Sequence, residues 1–340
     1  MPRALILGGT GLVGRAAARR LLAGGWQVDL TGRDPARLPA DVAAAGGRFV
    51  AADRHDRHAL EAAYGGGADL LVDCICFTAA DAELVVPLAR DASSTVLISS
   101  KAVYVDARGN HSNSDEPPRF DGPVGEQQPT LPPGRTNHLS REGYGPNKVA
   151  AERVLLDSGA PVSVLRPSKI HGDGARPPRS WHFVKRVRDG RPVVLLAGRG
   201  EGVDHPTAAA NLASLIEACA ARPGRRILNS ADPDAPNGLA IARAVAAHFG
   251  HAWREIPLGD DAPPHLGRHP WDRRPGIVLD TSAALALGWE PAGDFAATIA
   301  RELDWLASGL AEIDGGDFEG GFDYAAEDAW LASLGDAPAR

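Results

Sequence analysis

Short unbroken apolar runs alternate with amphipathic stretches along the first 165 residues. Positions 4–7, 27–30, 48–51, 70–75, 95–98 and 162–165 are rich in Val, Ile and Leu with little polar alternation. Strands covered on both faces read this way. Between them, 14–23, 59–64, 81–89 and 146–156 repeat their apolar positions at helical spacing. Strands and helices in alternation, joined by right-handed crossovers, predict an α/β fold, a Rossmann-type doubly wound parallel sheet.

The rhythm fails over 105–140, a polar stretch rich in Gly and Pro and too long for an ordinary connection. It reads as a functional lid or a mobile insertion, and its place just before Tyr144 favours the lid. Beyond 168 the pattern loosens into short, proline-punctuated elements, among them an apolar run at 193–196 and a helix near 211–221. We therefore expect a dinucleotide-binding domain over 1–168 and mainly a smaller substrate lobe and tail over 169–340. One strand, 226–229, is expected to return to the main sheet. The acidic, aromatic end from 314 to 340 reads as a tail helix, and no repeat of 20–50 residues is evident.

Composition narrows the partners. A net charge of −7 repels phosphate backbones and argues against general nucleic-acid binding. No apolar run approaches the roughly 20 residues that span a bilayer, and no leader is expected ahead of the first strand. Three cysteines do not make a disulfide framework, so a cytoplasmic setting is expected. No metal site is expected, because Cys74 and Cys76 share a strand face without further ligands and no His pair has zinc spacing. Only four of the 36 basic residues are lysine, and Lys101, Lys148 and Lys169 fall among the motifs. In an arginine-using chain they read as specific choices, or as survivors of codon bias.

Two motifs carry chemistry. Gly8, Gly11 and Gly14 follow a strand and open a helix. Gly8 allows the tight turn, Gly11 lets the backbone approach a pyrophosphate, and Gly14 permits close helix–strand packing. The backbone of Thr10, Leu12 and Val13 completes the cradle, at the positive end of the helix. The second motif, Tyr144-Gly145-Pro146-Asn147-Lys148, puts a phenol and an ammonium one turn apart. A phenol with pKa near 10 is a poor base at neutral pH, and a nearby ammonium favours its phenolate. A dinucleotide cradle with such a pair points to a nicotinamide-dependent enzyme.

The Gly-x-x-Gly-x-x-Gly spacing resembles the extended and atypical short-chain dehydrogenase/reductases, the family of nucleotide-sugar epimerases and dehydratases. So do Ile98-Ser99-Ser100-Lys101-Ala102-Val103-Tyr104, Tyr144 through Lys148 and Glu152, Leu165-Arg166-Pro167, and Arg274-Pro275-Gly276. With Asp280-Thr281-Ser282 and Leu287 to Pro291, the likeness runs from residue 3 to about 305. It implies that Tyr144 exchanges a proton with the substrate oxygen, Lys148 favours the phenolate and holds the nicotinamide ribose, and Ser100 orients the carbonyl. Tyr104 is a decoy, since Arg108 stands four residues on. Pro167 and Ser168 would lie beside the nicotinamide, and Arg274 would grip a substrate phosphate.

Where relatives end the second strand in an acid that holds the NAD ribose, this chain has Gly32 followed by Arg33. A guanidinium there suits a 2′-phosphate, so NADP is favoured over NAD, although a register slip of two would restore an acid at Asp34. Asp53 resembles the adenine-contacting aspartate and equally an ordinary turn residue. Lys169 stands where nucleotide-sugar enzymes often carry asparagine, and Pro167 to Gly172 replaces their Pro-x-x-x-Tyr-Gly phrase. Both departures count against a standard UDP-sugar pocket.

Lys101, Lys169, His171 and His205 are candidate substrate contacts, although ordinary loop or core roles are favoured for the two histidines. The aromatics around Trp181 and Trp271 line a pocket or form a lobe core, and Arg273 with Arg274 clamps an anion or forms a surface pair. The substrate is expected where the long segment, 168–172 and Arg274 converge. The resulting expectation is an NADP-dependent reductase or dehydrogenase acting on an alcohol or ketone of a small molecule. Its rivals are an epimerase or dehydratase that recycles its hydride, and a non-catalytic NADP-sensing or RNA-binding protein on the same scaffold. Relatives often pair through the helices at 81–89 and 146–156, which allows a homodimer.

Overall fold

A computed structural model of the protein, describing residues 1–309, 313 and 322–335, divides into two compact units. The first comprises 1–170, 205–234 and 277–298; the second comprises 171–204, 235–276 and the described part of 299–340. In chain order the elements begin β1 (Arg3–Leu7), α1 (Leu12–Ala23), β2 (Gln27–Gly32), α2 (Ala40–Ala44) and β3 (Arg48–Ala51). Then come α3 (Arg57–Tyr64), β4 (Leu70–Asp73), α4 (Ala79–Asp91), β5 (Ser94–Ile98), α5 (Arg141–Leu156) and β6 (Val162–Pro167). After these follow β7 (Lys169–His171), α6 (Trp181–Arg188), β8 (Val193–Leu196), β9 (Pro206–Ala208), α7 (Ala209–Ala221) and β10 (Arg226–Ser230). The chain ends with α8 (Gly238–His248), β11 (Arg254–Pro257), α9 (Ser282–Ala286), α10 (Phe295–Ala307) and α11 (Tyr324–Gly335).

In the first unit seven parallel strands lie in the order β10-β6-β5-β4-β1-β2-β3. The strand order reverses between β1 and β4, which opens a ligand crevice at their carboxyl ends. One sheet face packs Ala17 and Leu21 of α1 with Leu212, Leu215 and Ile216 of α7. The other packs Val85 and Leu88 of α4 with Ala151 and Leu155 of α5. Each such buried Leu or Val contributes about 1.5–3 kcal/mol. The run at 226–229 does return, as β10 beside β6. The segment expected to form one substrate lobe after residue 168 is therefore shared between the units, because 205–234 and 277–298 complete the first.

Two elements end elsewhere than their apolar pattern suggests. β4 stops at Asp73 rather than 75, because the Asp73 carboxylate accepts the Ile75 N–H at 3.0 Å and turns the chain. α5 starts at Arg141 rather than 146, with Ser140 Oγ accepting the Gly143 N–H at 2.9 Å. Its first turns hold Gly143, Gly145 and Pro146, all poor helix formers, so tertiary packing overrides propensity there. A Cβ at Gly145 would lie 2.5 Å from Leu131 Cδ1, so the missing side chain makes room for the preceding segment.

That segment, 105–140, is tied down rather than loose. The buried Asp106 carboxylate accepts N–H groups from Arg108, Asn110 and Arg119 at 2.8–2.9 Å. Tyr104 bridges Thr130, and Val124 bridges Leu279.

The second unit pairs β8 with β11 and builds its core from aromatics. Phe183 and Trp271 are buried and stacked, with ring centroids 6.1 Å apart, so the aromatics around Trp181 and Trp271 contribute a core. Arg186 and Glu327 form a buried ion pair at 2.7 Å that ties α11 to α6. Of the expected tail helix, 324–335 is helical, while 314–321 and 336–340 lie outside the described residues. Among the described residues no helix is long and apolar enough to cross a membrane.

Candidate functional site

The turn after β1 separates glycines the fold needs from one it does not. Gly8 takes φ +74°, which favours glycine, and a Cβ there would sit 2.6 Å from Ile75 Cγ2. A Cβ at Gly14 would sit 2.5 Å from Gly9 Cα, so α1 can pack on the turn only without one. Gly11 is exposed at φ −77°, open to any residue, and its nearest obstacle is Gly8 O at 3.3 Å. The fold itself asks little of glycine there. Helix α1 has no side-chain cap and no acid in its first turn. The free N–H groups at Leu12 and Val13 thus suit an anion, and this cradle fits a dinucleotide pyrophosphate.

At the end of β2, Arg33 is exposed, and its guanidinium makes no hydrogen bond or ion pair among the described residues. The Asp34 carboxylate is occupied by the Ala36 N–H at 2.9 Å. Asp53 is exposed and caps its own turn through the His55 N–H at 2.9 Å. Its neighbour Arg54 turns inward and reaches Asp73 at 3.0 Å and Asp81 at 3.4 Å. Asp81 also accepts the N–H groups of Phe77 and Thr78, both at 2.9 Å. Burial opposes its ionisation, yet the Arg54 charge and these N–H groups hold its carboxyl below the usual range. This network fixes the 74–78 loop, and sequence reasoning missed it. The available signal was a charged residue, Asp73, closing an otherwise apolar strand.

That loop receives Lys148. Lys148 is 3% exposed, and its ammonium donates to Cys76 O and Ile98 O, both at 2.7 Å, and lies 5.1 Å from the Phe77 ring centroid. His138, from the long segment, stacks on Phe77 with ring centroids 5.6 Å apart. Tyr144, one turn earlier on α5, is half-buried, and its hydroxyl makes no hydrogen bond among the described residues. Ser100 follows β5, and its Oγ accepts the Ala102 N–H at 3.1 Å. Ser168, after β6, is buried, and its Oγ has no hydrogen-bond partner among the described residues. The glycine turn, the lysine-holding loop, Ser100 and Ser168 therefore follow the carboxyl ends of β1, β4, β5 and β6.

Tyr104, Glu152, Arg166 and His205 are engaged within the fold. The Tyr104 hydroxyl donates to Asn229 Oδ1 at 2.6 Å, and burial pushes its phenol up to about 12. Glu152 and Arg166 pair at 2.5 Å out of solvent, and Glu152 also accepts the Ser99 hydroxyl. His205 Nδ1 accepts the Leu279 N–H at 3.1 Å, while Nε2–H faces Asp232 O and Asp234 O at 2.9 and 3.1 Å. Neither ring nitrogen is left for a ligand, and burial lowers the ring's basicity. Lys101 and His171 are buried, and Lys169 is half-buried with its N–H on His205 O at 3.3 Å. Arg274 belongs to the second unit, where it pairs with Asp260 at 2.8 Å and Asp272 at 3.4 Å.

The fold and cradle define a nucleotide-binding protein of the doubly wound α/β class. A profile of the NAD dependent epimerase/dehydratase family matches residues 4–204, and the chain belongs to that family. No curated protein matches it. Among solved structures it is similar to the UDP-glucose 4-epimerase of Thermus thermophilus in complex with NAD, at 20% identity and TM-score 0.65. That match covers 90% of this chain and 99% of the other. The dTDP-glucose 4,6-dehydratase of Bacillus anthracis in complex with NAD aligns at 14% identity and TM-score 0.67, over 91% and 97% of the two chains. MoeE5 in complex with UDP-glucose and NAD aligns at 19% identity and TM-score 0.65, over 91% and 100%. At these identities the likeness is one of fold.

Proposed function

We propose that this protein is an NADP-dependent oxidoreductase acting on an alcohol or ketone of a small molecule. The observation that carries the reading is Lys148, a buried lysine whose ammonium is held by two carbonyls, one helical turn from Tyr144, whose hydroxyl has no hydrogen-bond partner among the described residues. A dinucleotide would rest on the N–H groups at Leu12 and Val13, with Gly11 leaving room for its pyrophosphate and Arg33 beside the 2′-phosphate. When bound, the nicotinamide supplies or accepts a hydride.

The protein's own residues handle the proton and the orientation. Two of the three Lys148 protons are engaged by Cys76 O and Ile98 O, which leaves one for a cofactor hydroxyl. Tyr144 gives its proton to, or takes one from, the substrate oxygen, and Ser100 donates to that oxygen.

A second reading keeps the same residues but recycles the hydride, as in an epimerase or dehydratase. The names of the similar structures favour it; Lys169 and the altered phrase after Pro167 count against a standard nucleotide-sugar pocket.

Purified protein should enhance NADPH fluorescence on binding and oxidise NADPH across some member of a carbonyl panel. Tyr144→Phe should keep binding and lose about 10²–10⁴-fold in turnover. Tight retention of cofactor through purification, without net turnover, would move the assignment to hydride recycling. Binding with no turnover on any substrate by either protein would leave a nucleotide-sensing regulator.

A further inference from the structure

Helix α5 carries Tyr144, Lys148 and Glu152 at successive turns, and the last of them has no part in the chemistry proposed above. Glu152 is 2% exposed. Its Oε1 accepts the Ser99 hydroxyl and, at 3.0 Å, the Arg166 Nε–H, while Oε2 accepts Arg166 Nη2–H at 2.5 Å. Ser99 follows the last residue of β5, and Arg166 stands at the end of β6 just before Pro167. The two strand ends are themselves joined, since Ser99 N–H donates to Leu165 O at 2.7 Å. One side chain of α5 thus holds the carboxyl ends of two neighbouring strands.

The Lys148 ammonium, one turn earlier, donates to Ile98 O, the carbonyl immediately before Ser99. Helix α5 therefore grips consecutive residues of β5 with side chains one turn apart, Lys148 on Ile98 and Glu152 on Ser99. Their demands on geometry differ. Lysine reaches through a flexible four-carbon stem, so its ammonium can follow a carbonyl over a range of helix positions. Glu152 meets a planar guanidinium through both oxygens and a hydroxyl besides, which fixes direction as well as distance. Stability alone does not call for such a group. Ala151 and Leu155 already pack α5 on this face of the sheet, and a buried ion pair gains little over apolar side chains of similar volume.

The surroundings of Lys148 make its position matter. Among the described residues its ammonium meets two carbonyls and the Phe77 ring, with the Cys74 and Cys76 thiols in its field. Burial pushes both thiols up, so they stay neutral. Near Tyr144, Arg141 is paired with Asp115 at 3.2 Å, Glu142 is exposed, and His138 stacks on Phe77. Glu152 and Arg166 offset one another. The buried ammonium is the charge that solvent screens least, and its hold on a phenolate falls with distance.

Resting on the proton-transfer reading above, we infer that Glu152 is a positioning residue: by locking α5 to Ser99 and Arg166 it sets the place of the Lys148 ammonium and so the acidity of the Tyr144 phenol.

The test reads that phenol directly and needs no substrate. Of the four tyrosines, Tyr64 and Tyr104 are pushed up to about 12 by burial, and burial raises Tyr324 as well. Titrating the full-length protein by tyrosinate absorbance, with Tyr144→Phe as the reference, therefore isolates Tyr144. The parent should show a step well below 10 that Tyr144→Phe removes. Ser99→Ala changes no charge and keeps the Glu152–Arg166 pair, and it should move that step up by about 0.5 or more. Glu152→Asp, which keeps the charge and shortens the reach by one methylene, should do the same. Ser99→Thr, which keeps the hydroxyl, should restore the parent's value. If the parent shows no such step, the proton-transfer reading fails and takes this inference with it. If the parent shows the step and Ser99→Ala leaves it in place, the inference alone is overturned, whatever the melting temperature, because a merely structural link would lower melting without moving the phenol. Should Ser99→Ala not fold, an unmoved step in Glu152→Asp overturns the inference in the same way.

Discussion

Glycine at 11 and glycine at 14 occupy one motif in unlike surroundings, and substitution separates them. Gly14→Ala places a methyl 2.5 Å from Gly9 Cα and should destabilise the protein by about 1–3 kcal/mol or more, read as a lower melting temperature. Gly11→Ala meets only Gly8 O at 3.3 Å, so its melting temperature should stay near the parent's while NADPH affinity falls about tenfold or more. At Arg33 the expected change is one of selectivity. Arg33→Asp should reverse the ratio of NADPH to NADH affinity by at least about tenfold, because a carboxylate repels the 2′-phosphate and accepts the ribose hydroxyls. Equal loss of both cofactors would remove Arg33 from the 2′-phosphate. The turn itself, between β1 and α1, was legible in sequence because strand, turn and helix are local. The Arg54–Asp73–Asp81 network was not, since its members stand 19 and 27 residues apart and meet only once β3 and β4 share a sheet.

Single elements depend on buried carboxylates that the hydrophobic pattern does not show. Asp29, inside β2, is buried and held by Arg3 from β1 at 2.8 Å and Arg48 from β3 at 2.7 Å. Burial resists its ionisation, but the two guanidinium groups win and its carboxyl titrates below the usual range. A depressed folded value contributes stability that is full above the unfolded value, near 3.9, and is lost as pH falls through the folded one. Asp81 has the same sign. The melting temperature should therefore drop steeply below about pH 4. Asp29→Asn should lower stability near pH 7 by about 1.5–3 kcal/mol and flatten that acid limb. An unchanged acid limb in the variant would show that Asp29 does not carry this dependence. Helix α5 teaches a related lesson, since glycines and a proline in its first turns hide a helix that Ser140 and the facing 131–137 segment stabilise.

At the scale of the molecule, long-range pairs decide which segment belongs to which body. Arg186 and Glu327 lie 141 residues apart and are both buried in the second unit. Glu327→Ala leaves a buried guanidinium without its carboxylate, which costs about 3–5 kcal/mol. A melting temperature several degrees lower should follow, with NADPH affinity retained because the cradle belongs to the first unit. The sequence alone determined the parallel sheet, the glycine cradle and the Tyr144–Lys148 spacing. All three are local, written in runs of β-rich apolar residues and in intervals of a few residues along one helix. Only the tertiary structure decided that 205–234 and 277–298 complete the first unit, that His205 spends both ring nitrogens on backbone, and that Arg199 takes a left-handed conformation. Each of these depends on which distant groups share a buried space, and residue order does not encode that directly.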